Sequence, residues 1–169
     1  QASKVIPTYK HFPGLGRVTA NTDTSADVVD RTTGRLPDAA VSVFAGAIAA
    51  GAQVIMVSSA TYALIDASAP AVFSSKIVTD MLRTEMGFSG VVITDDVSAA
   101  VQVQGVAAGD RAVQAIRAGC DIVLASAEPA VAADMVKSLI AAAQSDPAFA
   151  ARVDESAARV LALKGSLQS

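Results

Sequence analysis

Gly90-Val91-Val92-Ile93-Thr94-Asp95-Asp96 is the stretch on which the reading of this chain turns. Three β-branched residues with no polar alternation lie between a glycine and, after one threonine, two carboxylates. Such a run suits a strand buried on both faces, as in a parallel sheet. In parallel sheets and barrels, ligands bind where the strands end, at the carboxyl edge. Asp95 and Asp96 stand at that edge. On position alone they admit two readings: chemistry in a crevice, or one carboxylate capping a turn while the other is solvated.

Working outward, three more short apolar runs read as strands, at 5–9, 54–58 and 122–125. Helical periodicity fills the spaces between and after them. A helix is expected over 37–50, with Pro37 at its start and Gly51 at its end. Another runs from a Ser74 or Ser75 cap to residue 86, where Gly87 stops it, with Ile77, Val78, Met81 and Leu82 on one face. Further helices are expected over 109–118, 129–143 and 147–163. Strands alternating with helices predict an α/β fold with a parallel sheet. Two architectures fit four βα units: a small open doubly wound sheet, or half of a (β/α)8 TIM-type barrel. No strand leads into a Gly-rich phosphate loop; Gly14-Leu15-Gly16 lacks the third glycine and the helix that such a loop requires. Residues 17–34 instead read as a long polar loop, a feature that in a compact domain is usually functional. No linker or repeat divides residues 1–169, which read as one unit.

Composition narrows the function classes. The 169 residues are 52% hydrophobic but only 4% aromatic, with the excess in Ala and Val, as expected of alanine-rich helices around Val/Ile strands. A formal net charge of −3 leaves no electrostatic footprint for nucleic acid. No apolar run approaches the roughly 20 residues that span a bilayer, so no membrane span is expected. The single Cys120 excludes an internal disulfide and a multi-cysteine metal site, and reads as a small buried apolar residue. Gln1-Ala2-Ser3-Lys4 show no signal-peptide pattern.

Lys10 and His11, the latter the one histidine of the chain, follow the first apolar run and precede a Pro13-Gly14 turn. Donors at a strand end suit the hydroxyl or carbonyl oxygens of a polar ligand. The alternative is a histidine satisfied by a nearby carbonyl. Asp23, Asp27 and Asp30 bring carboxylates to the following loop, of which at most one is expected to be functional.

Taken in order, Lys10-His11-Phe12-Pro13-Gly14-x-Gly16, the segment from Pro70 through Gly87, Gly87-Phe88-Ser89-Gly90-Val91-Val92-Ile93-Thr94-Asp95-Asp96, Gly109-Asp110-Arg111-Ala112-Val113 and Ala118-Gly119-Cys120-Asp121-Ile122-Val123-Leu124 resemble family 3 glycoside hydrolases. The resemblance is closest to the β-N-acetylglucosaminidase branch, whose signature is Lys-His-Phe-Pro-Gly-His-Gly followed by Asp-Ser-His. It covers nearly the whole chain and implies the second half of that family's TIM-type catalytic barrel, with the first four βα units lying before Gln1. It implies a retaining hydrolase of β-linked N-acetylhexosaminides, with Asp95 as nucleophile and Lys10 and His11 gripping the sugar. It implies no metal and no organic cofactor. Its partners would be a carbohydrate substrate and, to close the barrel, the upstream half or a second copy of the chain. A secreted or cell-envelope location is favoured over a cytoplasmic one.

The chain departs from the signature at two points. Leu15 stands where the motif has its second histidine. No histidine follows at all: the Asp-Ser-His positions fall on Asn21-Thr22-Asp23 without gaps, or on Asp23-Thr24-Ser25 with two inserted residues. Either register leaves Asp23 as the one acid and the candidate acid/base. The alternatives are a degenerate homologue that binds carbohydrate without cleaving it, and an unrelated small α/β protein that mimics the motifs.

Overall fold

The computed structural model describes residues 5–167; Gln1-Ala2-Ser3-Lys4, which carry no signal-peptide pattern, lie outside them. Seven strands follow in chain order: β1 (Thr8–Phe12), β2 (Val29–Asp30), β3 (Val54–Val57), β4 (Thr61–Tyr62), β5 (Asp66–Pro70), β6 (Val91–Asp96) and β7 (Ile122–Leu124). Four α-helices, α1 (Ala39–Ala49), α2 (Ala108–Ala118), α3 (Ala132–Ser145) and α4 (Pro147–Gly165), and a π-helix (Lys76–Glu85) complete the framework. β1, β3, β6 and β7 form one sheet in that order, with every pair parallel. This parallel, helix-flanked sheet is about half of a (β/α)8 barrel, one of the two architectures that the alternating pattern allows and the one that the family resemblance implies. None of the described helices is long and apolar enough to cross a membrane.

Several boundaries differ from expectation. The first strand runs over Thr8–Phe12 rather than 5–9, so Lys10 and His11 lie within it and not beyond it. The apolar run marks only its entrance; pairing with β3 extends it through a bulge to Phe12, whose partner is Val57. The polar segment 17–34 also contains β2, which pairs in parallel with β4, while β4 pairs antiparallel with β5. Strands of two residues carry no periodic signal. The helix after Ser74 is wound with wider turns, as the Met86 N–H bonding to the Met81 carbonyl shows, yet it buries the expected Ile77, Val78, Met81 and Leu82. α1 begins at Ala39 rather than at Pro37, and Asp38 caps it by accepting from the Ala40 N–H at 2.9 Å.

Side-chain alternation along the strands decides which groups meet the helices. Ile55 is paired with Val92 and Val57 with Thr94, all fully buried, and Phe12 on the same face meets the Phe44 ring of α1 edge-on at 5.2 Å. The opposite face carries Val54 and Met56 against Val91 and Ile93, with Met56 and Ile93 only half-buried. Ile55, Val57 and Val92, with Val123 packed against the same cluster, therefore belong to the helix-covered core and not to the barrel interior. Between Ile93 and Asp96 the register against β7 shifts; Asp95 Oδ2 lies beside His11, while Asp96 turns to Ser98 and Ser126.

Two carboxylates tie the ends of β6 and β7. At the amino end, buried Asp121 accepts from Arg83, Arg152 and Arg159, from the Val92 N–H and from Ser156. Burial opposes its ionisation, but these donors hold its pKa below the ordinary carboxylate value. Neighbouring Cys120 is wholly buried, and desolvation pushes its thiol up to about 12. At the carboxyl end, Asp96 accepts from the N–H and hydroxyl groups of Ser98 and Ser126 and from the N–H groups of Ala99 and Ala127.

Partial burial alone would raise the Asp96 pKa, yet those hydrogen bonds hold it well below the ordinary 3.8. A depressed folded-state pKa contributes stability that is present above about pH 4 and is lost as pH falls toward the folded value. In the full-length protein, Asp96→Asn should cost about 2–3 kcal/mol at pH 7, the scale of a lost charge-assisted hydrogen bond. It should also flatten the acid limb of stability against pH, followed by denaturant unfolding between pH 7 and pH 3. An acid limb as steep as that of the wild type would contradict this role for Asp96.

Candidate active site

β1 and β6 deliver their polar residues to the same edge of the sheet. A cleft of about 480 Å³ opens there, lined by Lys10, His11, Leu15, Asn21, Asp23 and Asp95, with residues 18–20 and 22 completing its wall. All four residues singled out from the sequence thus converge on one cavity, although Lys10–His11 and Asp95 lie more than eighty positions apart in the chain. Asp27 and Asp30 do not line it. Asp30 is buried, its carboxylate taken up by the N–H and hydroxyl groups of Thr32 and Thr33.

Asp95 is held at one oxygen and open at the other. Its Oδ1 accepts from the Asp96 N–H at 2.9 Å, while Oδ2 stands 3.7 Å from His11 Nε2. That separation is too long for a hydrogen bond. Desolvation lowers the His11 pKa below 6.5; Asp95 and Asp23 pull it upward and Lys10 pushes it down, and the net shift is downward. The imidazole is therefore neutral at pH 7, a donor and acceptor for hydroxyl groups and not a competing cation. Lys10 is exposed at the cleft, within which its side chain is available to a ligand oxygen.

The turn before the cleft is fixed from behind. Tyr62, buried beneath it, donates to the Gly14 carbonyl at 3.2 Å. Gly14 has φ +133°, and a Cβ there would lie 2.8 Å from the Ala40 methyl carbon of α1. A side chain at this position would thus meet both backbone strain and a clash. Leu15 contributes an apolar wall to the cleft where the family signature has an imidazole.

Asp23 sits exposed on a turn built by Asn21, whose carbonyl accepts from the Thr24 and Ser25 N–H groups and whose side chain accepts from the Asp23 N–H at 2.8 Å. Its carboxylate borders the main cleft and also a second cavity of about 300 Å³ lined by Asp96, Ala99, Ala100, Ser126 and Ala127. The segment that bears Asp23 is joined to the residues after β6 through Val101 and Gln102. Sequence reasoning missed Gln102, because an isolated glutamine in an irregular segment carries no pattern. Among the described residues, no group of three or more His, Cys, Asp or Glu is placed to hold a metal ion.

Known proteins resemble this chain in sequence and in fold. An uncharacterized secreted glycosyl hydrolase of Arthroderma benhamiae is 36% identical over 170 residues, which cover 99% of this chain and 48% of that protein. A beta-hexosaminidase of Nitrosomonas eutropha is 33% identical over 139 residues, covering 82% of this chain and 40% of its own length. The crystal structure of a β-N-acetylhexosaminidase from Beutenbergia cavernae superposes with a TM-score of 0.92 at 59% identity, over 94% of this chain and 46% of that one. A family 3 β-N-acetylglucosaminidase from a Paenibacillus species gives 0.89 at 30% identity, over 98% and 32%. The chain spans less than half the length of these relatives. The profile described as the Glycosyl hydrolase family 3 N terminal domain matches residues 1–163, and the chain belongs to that family.

Proposed function

We propose that this chain is the second half of the catalytic barrel of a retaining glycosidase that cleaves β-linked N-acetylhexosaminides. The observation that carries the proposal is the meeting of Lys10, His11, Asp23 and Asp95 in one cleft at the carboxyl edge of the sheet. The names of the bacterial relatives support the N-acetylhexosaminide class. In this reading Lys10 and neutral His11 bind the hydroxyls of the sugar. The open Oδ2 of Asp95 attacks the anomeric carbon as the glycosidic C–O bond breaks, and Asp23 gives its proton to the departing oxygen. Asp23, now a carboxylate, takes a proton from water, which attacks the same carbon and expels Asp95 from the glycosyl ester. Two inversions return the β configuration. The cycle needs no metal or organic cofactor. The fungal relative is named as secreted, and the same setting, outside the cell or in its envelope, is proposed here.

A second reading is favoured by one observation: no histidine follows His11, and Asp23 is the sole acid offered in its place. The protein would then be a carbohydrate binder that kept the cleft and lost its proton donor. Hydrolysis of an aryl β-N-acetylglucosaminide by the full-length protein separates the two readings, since a silent binder leaves it intact.

Asp95→Ala in the full-length protein should lower kcat by roughly three or more orders of magnitude with the fold unchanged, because it removes the covalent step. Activity within tenfold of wild type would sink the assignment. Asp23→Ala should spare substrates with very good leaving groups, penalise poor ones by about 10²–10⁴-fold, and respond to added azide. Equal loss on both kinds of substrate would place the acid elsewhere.

The half-barrel reading has its own consequence. β1 and β7 are edge strands, and the face bearing Met56 and Ile93 is only half-covered. Four strands at barrel tilt do not close, whereas eight do. The 169 residues expressed alone should therefore associate, with the preceding half when it is supplied or otherwise with a second copy. Size-exclusion chromatography with light scattering is the check, and a cooperatively melting 17.0 kDa monomer would contradict the proposal.

A further inference from the structure

The segment bearing Asp23 puts little of itself into the core, with part-buried Val18 packed against it. Among the described residues from 17 to 27, only Thr22 is buried. What fixes the turn is a neighbour, the short 3-10 turn Val101–Val103, which begins five residues after β6 ends. The Val101 N–H donates to the Asp23 carbonyl at 3.2 Å, and the Gln102 N–H donates to the Thr22 carbonyl at 3.1 Å. The Gln102 side chain then reaches the far end of the same segment. Its Oε1 accepts from the Val28 N–H at 2.7 Å, and its Nε2 donates to the Val28 carbonyl at 3.4 Å.

Both ends of this strap are anchored. Val28 is buried, and its carbonyl also accepts from the Thr61 N–H beside the β2–β4 pair. Val103 is buried in the core, and Gln104 donates to the Ser98 carbonyl at 3.0 Å. Arg111, almost wholly buried on α2, donates to the carbonyls of Val97 and Ser98. The segment that carries Asp95 is thus held as one piece from the strand end to Gln104. Gln102 is the side chain that couples this piece to the segment carrying Asp23.

We propose that Gln102 is a positioning residue that sets the placement of Asp23 relative to Asp95. The proposal rests on the acid/base reading of Asp23 given above. Gln102 borders neither cleft at Asp23, and it acts through the backbone of residues 22–28. An amide satisfies both groups of Val28 at once; a side chain of the same length without donors or acceptors satisfies neither, so the loop carrying Asp23 would fluctuate while Asp95 stayed in place.

The test uses the full-length protein and two substrates that share a sugar, a dinitrophenyl β-N-acetylglucosaminide and an alkyl one. The first leaves without a proton and the second requires one. Gln102→Met, with Gln102→Ala as a second truncation should the first fail to fold, is expected to lower kcat about tenfold or more on the alkyl glycoside and less than threefold on the dinitrophenyl one. Gln102→Glu, which keeps the acceptor for the Val28 N–H, should bring the ratio of the two rates back to within about threefold of wild type. A merely structural role would lower both rates together, and that outcome, or no change in either, overturns the proposal. Asp23→Ala measured alongside separates the two levels of the argument. If Asp23→Ala discriminates between the leaving groups and the Gln102 variants do not, only the strap is wrong. If Asp23→Ala does not discriminate, the acid assignment fails and the strap falls with it.

Discussion

The structure hangs on the β6–β7 pair, and that pair is fastened at both ends by a carboxylate. At the amino end Asp121 draws together Arg83 from the π-helix and Arg152 and Arg159 from α4, so one buried charge joins three elements distant in sequence. Removing one partner of such a buried network is costly, since the remaining charges would stay desolvated and uncompensated. At the carboxyl end Asp96 gathers the turns after both strands. Between these fixings β6 keeps regular register with β3 from Val91 to Thr94, with Val92 and Thr94 buried and Ile93 half-exposed, and it shifts register against β7 between Ile93 and Asp96, where Asp95 reaches the cleft. The candidate nucleophile thus stands where the regular pairing of its strand with β7 breaks, one oxygen held by the Asp96 N–H.

The parallel sheet and its helices were legible because they are written in period. Val91-Val92-Ile93 has the unbroken apolarity of a doubly covered strand, and Ile77, Val78, Met81 and Leu82 recur at helical spacing. The π-winding of that helix was not legible, since a widened turn buries the same residues. β2 and β4 were missed because two-residue strands have no room for a period; they exist through pairing, as Val29 with Thr61 and Asp30 with Tyr62. The faces of Ile55, Val57 and Val92 were not legible for a similar reason. In a strand covered on both sides the two faces are equally apolar, and only the neighbouring helices tell them apart.

The candidate site was legible where chemistry is concentrated in short motifs. Lys10, His11 and Asp95 could be named from residue type and strand-end position together with family resemblance, and Asp23 from what the signature leaves. The surroundings were not. Tyr62 beneath Gly14 and Gln102 against Val28 hold their partners through backbone atoms, and a backbone acceptor looks alike at every position of a sequence. Residues that work through another residue's main chain leave no trace until the fold brings them together.

Cys120 bears on how this protein meets an oxidising environment. Thiol chemistry proceeds through the thiolate, and a thiol that is wholly enclosed, with its ionisation pushed up to about 12, offers neither the reactive form nor a path to it. It is also the one sulfhydryl in the 169 residues. While the chain is folded, its one thiol is therefore closed to disulfide exchange. Its sulfur lies against the Val72 carbonyl, so only unfolding or incomplete folding opens it to reagents.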